Sequence, residues 1–334
     1  MKLNEIGEFD FIARFSDKFN DLIKNGQKGI GDDCAIIPKN KDISFIITTD
    51  ILIEDIHFIK EKITAFELGY KSLAINLSDI AAMGGDPVCS FLSVGIPKDT
   101  DVEWFDKFIS EYQNLSEKYN VPLLGGNTAK SPDKLVINVC VIGEIENKKI
   151  KYRSGAKTND IICVTDYLGD SAGGLNIILN NLPEDKDSSY LLHKHLMPEP
   201  EIFSGQWLAS QKGVNAMIDV SDGISSDLNH IVKASKVAAI IDIDKIPVSR
   251  ELKNISEKNN WNIDDMSVSG GEDYCLLLTI DKDCFQEISK NYQLKFNRPL
   301  FEIGKIITGS PEISFLKNNK KIEFIKKGFD HFNS

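Results

Sequence analysis

The chain has 334 residues, which is enough for two domains of ordinary size, each with its own hydrophobic core. Its 39 basic and 50 acidic residues give a net charge of −11. This charge argues against a nucleic acid or an anionic membrane as a partner, because both require a basic face. An acidic protein that binds phosphates must instead recruit cations.

Cysteine usage and the N-terminal residues indicate the compartment. The chain shows neither a CxxC pair nor a matched spacing among its six cysteines, Cys34, Cys89, Cys140, Cys163, Cys275 and Cys284. Several lie inside apolar runs, so we expect free thiols in a reducing compartment rather than disulfides or zinc ligands. Residues 1–5 lack the basic and then apolar build of a signal peptide, and no apolar run approaches the roughly 18 residues of a membrane span. A cytoplasmic protein is expected.

The first half of the chain predicts alternating helices and strands. Thr64 and Glu67 fit a capping box that opens a long helix ending before Gly84. The elements predicted for this half are a helix over 6–24, a glycine-flanked turn at 29–33, a strand over 44–50, a helix over 64–83, a strand over 89–96, a helix over 104–118 and strands over 121–124 and 135–145. A turn is predicted at Gly125-Gly126, where a plain tight turn competes with a phosphate-binding one.

The second half continues the alternation after a polar stretch at 146–149. Its predicted elements are strands over 161–165, 217–220, 239–243 and 275–279, helices over 172–179, 224–232, 250–258 and 284–291, a polar loop over 181–190, and strands near residues 303 and 324. We therefore predict an α/β protein with two α/β domains, the first over 1–148 and the second over 149–334.

The most informative stretch is 216–228, where a short buried strand gives way to a helix. Asp219 and Asp222 stand at that junction, beside helix N–H groups that favour an anion. A carboxylate pair in this position suits Mg²⁺ that carries phosphates. The competing interpretation is an ordinary helix N-cap with one extra surface acid.

Three further places put an aspartate directly after an apolar run: Asp32-Asp33, Asp50 and Asp79. Because a charge pushed against apolar residues is costly unless it is paired or binds a metal, four such places favour a site for several metal ions. Asp79 also borders the apolar stripe of its helix, where a metal and a hydrogen-bond partner are equally plausible explanations.

Other chemistries find little support. The sequence contains no GxxxxGK[ST] loop, no G-x-G-x-x-G after a strand and no Ser–His–Asp order that stands out. The close pair His193 and His195 lies in a polar region and is predicted to be solvated rather than to bind a metal.

The motifs taken together resemble the thiamine-monophosphate kinase family over essentially the whole chain and in the right order. They are Gly31-Asp32-Asp33, Thr48-Thr49-Asp50, His57-Phe58, 76–84, Gly125-Gly126-Asn127-Thr128, 153–156, 169–172, Asp219-Val220-Ser221-Asp222-Gly223, Gly270-Gly271-Glu272-Asp273-Tyr274 and 328–332. The wider superfamily includes aminoimidazole ribonucleotide synthetase and selenophosphate synthetase. The resemblance implies two α/β domains and a homodimer in which the N-terminal mixed sheets join into a barrel.

The resemblance also implies an activity, the phosphorylation of thiamine monophosphate to thiamine diphosphate by ATP with several Mg²⁺ ions. By resemblance, the metal ligands are Asp33, Thr48, Thr49, Asp50, Asp79, Asn127, Asp219 and Asp222, and Asp50, Asp79, Asp219 and Asp222 act catalytically through the metal. The implied nucleotide contacts are Gly126, Arg153, Ser221 and Tyr112, and the implied substrate contacts are His57, Glu272 and Phe329. Asn127 departs from the family, which usually has Asp there, and Asp55 stands where the family often has Gly.

The attacking group of such a reaction is itself a phosphate with a second pKa of about 6, so it needs no general base. Metal-bound carboxylates would instead overcome the repulsion between two anions and align them for direct in-line transfer. The alternatives are a superfamily relative acting on another substrate, a metal-dependent phosphohydrolase and a non-catalytic nucleotide-sensing module.

Overall fold

The N-terminal half forms a five-stranded mixed sheet in the computed structural model, which describes residue 5 and residues 7–323. The sheet has the strand order β1-β2-β5-β3-β4, in which β3 and β4 are parallel and the other pairs antiparallel. Its strands are β1 (Ala35–Pro38), β2 (Ile43–Ile53), β3 (Asp86–Pro97), β4 (Leu123–Ser131) and β5 (Val136–Glu146), and the helices of this half are α1 (Glu8–Ser16), α2 (Ala65–Ala82) and α3 (Val102–Tyr119).

Alternating side chains explain how this sheet packs. In β5, Ile137, Val139 and Val141 are buried, while the residues between them are half-buried, which is the period of a strand with one covered face. Helix α2 contacts β2, β3 and β5 on the covered side, and α3 packs closely on α2. Gly69 permits that approach, since a Cβ there would lie 2.1 Å from the Phe108 carbonyl oxygen.

The C-terminal half forms a seven-stranded sheet with the order β12-β11-β8-β10-β6-β9-β7. Pairing in this sheet is antiparallel except between β11 and β8. Its strands are β6 (Ile161–Val164), β7 (Val214–Asp219), β8 (Ala238–Asp242), β9 (Leu276–Ile280), β10 (Phe301–Ile307), β11 (Ile313–Lys317) and β12 (Lys320–Ile322). The helices are α4 (Asp170–Leu179), α5 (Lys186–Leu196), α6 (Ile202–Ser210), α7 (Ile224–Ser235), α8 (Arg250–Asn259), α9 (Ile263–Ser269) and α10 (Lys282–Phe296).

Helix α2 joins the two halves. It is buried on almost all sides and contacts β7 and α6 of the C-terminal half as well as its own sheet. The contact with α6 is close, because a Cβ on Gly205 would lie 2.2 Å from the Ala81 carbonyl oxygen. Polar residues on α2 therefore face both halves, which places them at the site described below.

The prediction of a two-domain mixed α/β fold is confirmed, and the capping box at Thr64 and Glu67 forms as expected. The boundary between residues 148 and 149 stays a prediction. Among the described residues, no helix is long and apolar enough to span a membrane.

Three local expectations are wrong. Gly125 and Gly126 lie inside β4 rather than in a turn, because β4 pairs with β3 across both residues. The predicted loop over 181–190 runs into α5, which a capping box between Asp185 and Ser188 opens at Lys186. The first helix ends at Ser16, and a short 3-10 helix over Asp17–Leu22 follows.

Candidate active site

A cavity of about 700 Å³ lies between the two halves of the chain. Its lining combines an acidic group of side chains, which come from both halves, with a group of apolar side chains. The polar lining residues include Asp33, Thr48, Thr49, Asp50, His57, Lys71, Asp79, Arg153, His195, Asp219, Ser221, Asp222 and Glu272, and the apolar ones include Ile56, Phe58, Ile59, Leu175, Leu179 and Leu196.

Three carboxylates of the acidic group converge on one point. One oxygen each from Asp33, Asp79 and Asp219 lies within 4.8 Å of the other two, although the three residues come from the segment before β1, from α2 and from β7. The second oxygen of Asp33 is buried and accepts no hydrogen bond from the described residues. Because a buried carboxylate oxygen without a donor is costly, this donor set fits a hard divalent cation.

Neighbouring groups orient each carboxylate of the cluster. Thr48 Oγ1 donates a hydrogen bond to Asp79, and Ser78 Oγ donates one of 2.6 Å to Asp219 Oδ2. Arg153 extends from the C-terminal half and pairs with Asp33 Oδ1 at 2.9 Å. These contacts fix one oxygen of each carboxylate of the cluster.

Burial and mutual repulsion raise the pKa values of these acids. The pKa of Asp50 rises to about 6, chiefly through burial and then through the charge of Asp222. The pKa of Asp219 rises to about 7 through burial and the charge of Asp33, against opposing contributions from Ser78 and Arg153. Burial also places the pKa of Asp79 well above its ordinary value. A bound divalent cation would reverse this repulsion, which supports the same assignment.

The loop after β7 carries the second pair of predicted ligands. Gly223, with φ of 98°, is the N-cap residue of α7, so neither Asp219 nor Asp222 occupies that position. Asp219 is 2% exposed, so it is not a surface acid. Asp227 was not singled out from the sequence, yet it is buried and accepts a 3.3 Å hydrogen bond from the Asp222 N–H. Only the folded turn distinguishes Asp227 from an ordinary acid in the first turn of a helix.

The segment over 270–274 presents Glu272 to the same cavity. Glu272 and Tyr274 have φ of 64° and 50°, which costs non-glycine residues free energy and is typical of functional segments. The Glu272 N–H donates a 2.7 Å hydrogen bond to the Ser221 carbonyl, so this segment and the Asp222 loop are held together.

The buried face of α5 contributes a residue that the sequence assigned wrongly. His195 is 5% exposed and lines the cavity, whereas a solvated histidine was expected. Its Nδ1 lies 3.0 Å from Ser171 Oγ and 3.5 Å from Glu272 Oε2. Burial, together with the charge of Lys71, lowers the pKa of His195 to about 3, so the ring is neutral at pH 7. A helical pattern over 186–196 was the signal that could have placed it inward.

His57 also lines the cavity. Its Nδ1 accepts a 3.0 Å hydrogen bond from the Ile53 N–H, which fixes the ring at the end of β2. The apolar residues Ile56, Phe58 and Ile59 surround it in sequence and line the cavity. Lys62, which also lines the cavity, donates a hydrogen bond to Asn181 Oδ1. A ligand with a ring and a metal-bound anionic group would find complementary side chains in this lining.

Some predicted site residues lie elsewhere. Tyr112 is 1% exposed and packs against Phe108 inside the N-terminal core. Gly126 and Asn127 lie on the exposed edge strand β4 and do not line the cavity. A Cβ on Gly126 would lie 1.7 Å from the Leu92 carbonyl oxygen, so strand packing alone requires a glycine there. Phe329 lies outside the described residues, and the assignments of all four stay predictions.

Comparisons with known proteins agree on one family. Residues 31–145 match the N-terminal domain of AIR synthase related proteins, and residues 158–314 match their C-terminal domain. Thiamine-monophosphate kinase of Buchnera aphidicola (subsp. Schizaphis graminum) is 39% identical, with 98% of this chain and 99% of the relative covered. The enzyme of the same name from Escherichia coli K12 is 37% identical, with 98% of each chain covered. The solved complex of AaThiL with AMPPCP and TMP superposes with a TM-score of 0.86 at 32% identity, covering 99% of each chain.

Proposed function

Because the chain belongs to the thiamine-monophosphate kinase family of AIR synthase related proteins and is a kinase of that class, we propose that its acceptor substrate is thiamine monophosphate. The γ-phosphoryl group of ATP would be transferred to it by direct in-line displacement assisted by several Mg²⁺ ions. The observation that carries this proposal is the convergence of Asp33, Asp79 and Asp219 from both halves of the chain on one cavity. The solved relative AaThiL holds AMPPCP and TMP, a matching pair of ligands.

The reaction brings together two anions, and the cavity suits that task. The phosphate of the acceptor is largely dianionic at neutral pH, so the residues need not remove a proton from it. In agreement with this, the two histidines at the cavity are already engaged: His57 accepts from the Ile53 N–H, and His195 lies against Ser171 and Glu272. Bound Mg²⁺ would supply the charge neutralisation that lets the two phosphates approach each other.

The metal ions would be held by Asp33, Asp79 and Asp219. Asp50 and Asp222 line the same cavity. Thr48 orients Asp79 through its hydroxyl, and Thr49 lines the cavity next to it. Arg153 and Ser221 also line the cavity and would contact the nucleotide phosphates. We retain Gly126 and Tyr112 as proposed nucleotide contacts and Asn127 as a proposed metal ligand. Asn127 is uncharged and would bind a cation more weakly than the aspartate that is usual in the family.

The apolar part of the lining would take the thiamine portion of the acceptor. Leu175, Leu179 and Leu196 offer apolar surface for its rings, and His57 and Glu272 offer hydrogen-bonding groups beside them. Phe329 is retained as a proposed contact for the ring face. In this arrangement the acceptor phosphate would lie toward the carboxylate cluster, where we propose that the transfer takes place.

The open face of the N-terminal sheet suggests where a second copy of the chain would bind. Strand β4 forms an edge that is exposed at every residue but its last. The exposed hydrophobic side chains on this sheet are Ile37, Ile51, Val88, Leu123 and Leu124. Because an exposed edge and an apolar face favour pairing with another sheet, we propose a homodimer formed through this surface. The free cysteines agree with the reducing cytoplasm that we propose as its compartment.

The test incubates the purified protein with ATP, MgCl₂ and thiamine monophosphate and follows the products by phosphorus NMR. We expect thiamine diphosphate and ADP in equal amounts and no product in excess EDTA. ATP hydrolysis without thiamine diphosphate would instead indicate a phosphohydrolase. Product formation only with a different acceptor would indicate a superfamily relative with another substrate.

A further inference from the structure

Lys71 is a buried lysine that none of the proposed steps uses. It lies on α2 with 1% of its side chain exposed, and its Nζ is 2.9 Å from Glu272 Oε1. Among the described residues, Glu272 is the one carboxylate with which Lys71 forms an ion pair. Fully buried lysines are rare unless their charge is compensated, so this pair is a built feature of the cavity that both residues line.

We propose that Lys71 is a positioning residue for the acceptor substrate: it holds the Glu272 carboxylate, as an anion, in the orientation in which that carboxylate binds thiamine monophosphate. The inference rests on the proposed function and extends it to a residue that acts through another. Thiamine monophosphate carries a cationic ring and an amino group, and a fixed carboxylate can serve as a counter-ion for the ring or accept a hydrogen bond from the amino group.

The backbone explains why Glu272 needs a positioning group. Its φ of 64° lies in the left-handed region, and its N–H is committed to the Ser221 carbonyl at 2.7 Å. Gly271 sits directly over the same carbonyl, since a Cβ on it would lie 2.4 Å from that oxygen. The main chain therefore fixes where the side chain of Glu272 starts, and Lys71 fixes where its carboxylate ends.

The charges around Glu272 show that Lys71 supplies the cation. Burial alone would raise the pKa of Glu272, but the charge of Lys71 and the hydrogen bond that it donates outweigh burial and lower it. His195 is neutral at pH 7, so it can only orient the second oxygen, Oε2, which lies 3.5 Å from its Nδ1. An ionised carboxylate is solely an acceptor, which makes Glu272 selective for donors and cations.

A simpler role for the pair would be to join the two halves of the chain. A second ion pair serves as the matched control, because Lys118 on α3 pairs with Glu199 of the C-terminal half at 2.6 Å. Both side chains of that pair are largely exposed, and neither lines the cavity. Replacing Lys118 removes a lysine–glutamate contact between the halves and leaves the lining of the cavity unchanged.

The experiment measures KM for thiamine monophosphate, KM for ATP and kcat in the wild type, K71M, E272Q, K71M/E272Q and K118M. Calorimetric titration of each variant with thiamine monophosphate alone and the melting temperature accompany the kinetics. For K71M we expect a 10- to 100-fold higher KM for thiamine monophosphate, with KM for ATP and kcat within threefold of the wild type. K118M should match the wild type in all three. In the E272Q background, adding K71M should change the KM for thiamine monophosphate by less than threefold, because Lys71 acts through Glu272.

Unchanged thiamine monophosphate affinity in K71M overturns the inference, as does an equal rise in both KM values, which would indicate a purely structural role. If K71M does not fold, the comparison of E272Q with K71M/E272Q decides, since the double variant buries no uncompensated charge. A tenfold difference between those two would overturn the inference. A wild type that neither binds nor phosphorylates thiamine monophosphate overturns the proposed function itself, and the inference with it.

Discussion

Ser78 on α2 donates a 2.6 Å hydrogen bond to Asp219 at the end of β7, so a side chain of the N-terminal half fixes a carboxylate of the C-terminal half. Ser78 is completely buried and Asp219 is 2% exposed, which leaves neither group an alternative partner in solvent. The carboxylate cluster therefore depends on how the two halves pack on each other.

Ser78→Ala should lower kcat by about 10- to 100-fold, because a hydrogen bond to a charged group is worth about 1.5–3 kcal/mol. Steady-state kinetics at saturating ATP and thiamine monophosphate measures the effect. Ser72→Ala is the matched control, since Ser72 is also buried on α2 but donates to the Gly69 carbonyl. Equal losses in both variants would show that the effect is one of helix stability.

Asp219→Asn and Asp222→Asn should each abolish detectable kinase activity while the fold persists, because each removes a negative charge from the proposed metal site. Activity assays and circular dichroism report the two properties separately. Asp101→Asn, at the N-cap of α3, provides a control in which the new residue caps equally well. Normal turnover in either site variant would contradict the metal assignment.

Direct transfer predicts that no phosphoenzyme forms during turnover. Rapid quenching with γ-³²P-labelled ATP, with and without thiamine monophosphate, should leave no label on the protein. A labelled aspartate or histidine that forms and decays at the rate of turnover would replace the in-line step with a covalent one.

Asp170 should make the stability of the protein dependent on pH. Its pKa rises from 3.8 to about 6, chiefly through burial, against hydrogen bonds donated by Ser249 and Tyr190. Because the folded state binds this proton more tightly than the unfolded state, the contribution is complete below pH 3.8 and is lost as the pH rises through 6. Its size is at most about 3 kcal/mol.

Thermal melts of the wild type and of Asp170→Asn between pH 5 and pH 8 measure this contribution. The melting temperature of the wild type relative to the variant should fall by about 2 °C as the pH rises, because the asparagine amide carries no proton that titrates in this range. A constant difference across this range would show that Asp170 is ionised throughout.

Leu124→Glu should shift the protein from the proposed dimer to a monomer in sedimentation velocity experiments. Leu124 is 64% exposed on the edge strand β4, and a charge there would have to be buried against the second copy. Leu294→Glu on α10 is the control, since Leu294 is 75% exposed away from this sheet. Dimers that persist in Leu124→Glu would place the interface elsewhere.

Local sequence patterns predicted most of the helices and strands because those patterns reflect neighbours two to four positions apart. The alternation in β5 and the capping box of α2 are examples. The pattern misled at Gly126, where a glycine that usually marks a turn is required inside a strand by the Leu92 carbonyl of the adjacent strand. The pattern also misled at His195, because the polar residues around it indicated a solvated loop. The segment is in fact the helix α5, on which His195 is buried.

The sequence by itself determined the chemical inventory: aspartates after apolar runs, an acidic net charge and no residue set for a covalent nucleophile. Only the tertiary structure decided which acids meet, since Asp33, Asp79 and Asp219 belong to three elements whose approach depends on long-range packing. It also gave Lys71 and Asp227 their surroundings. The physical reason is that a charge becomes functional through burial and fixed partners, and both are properties of the folded chain rather than of its local sequence.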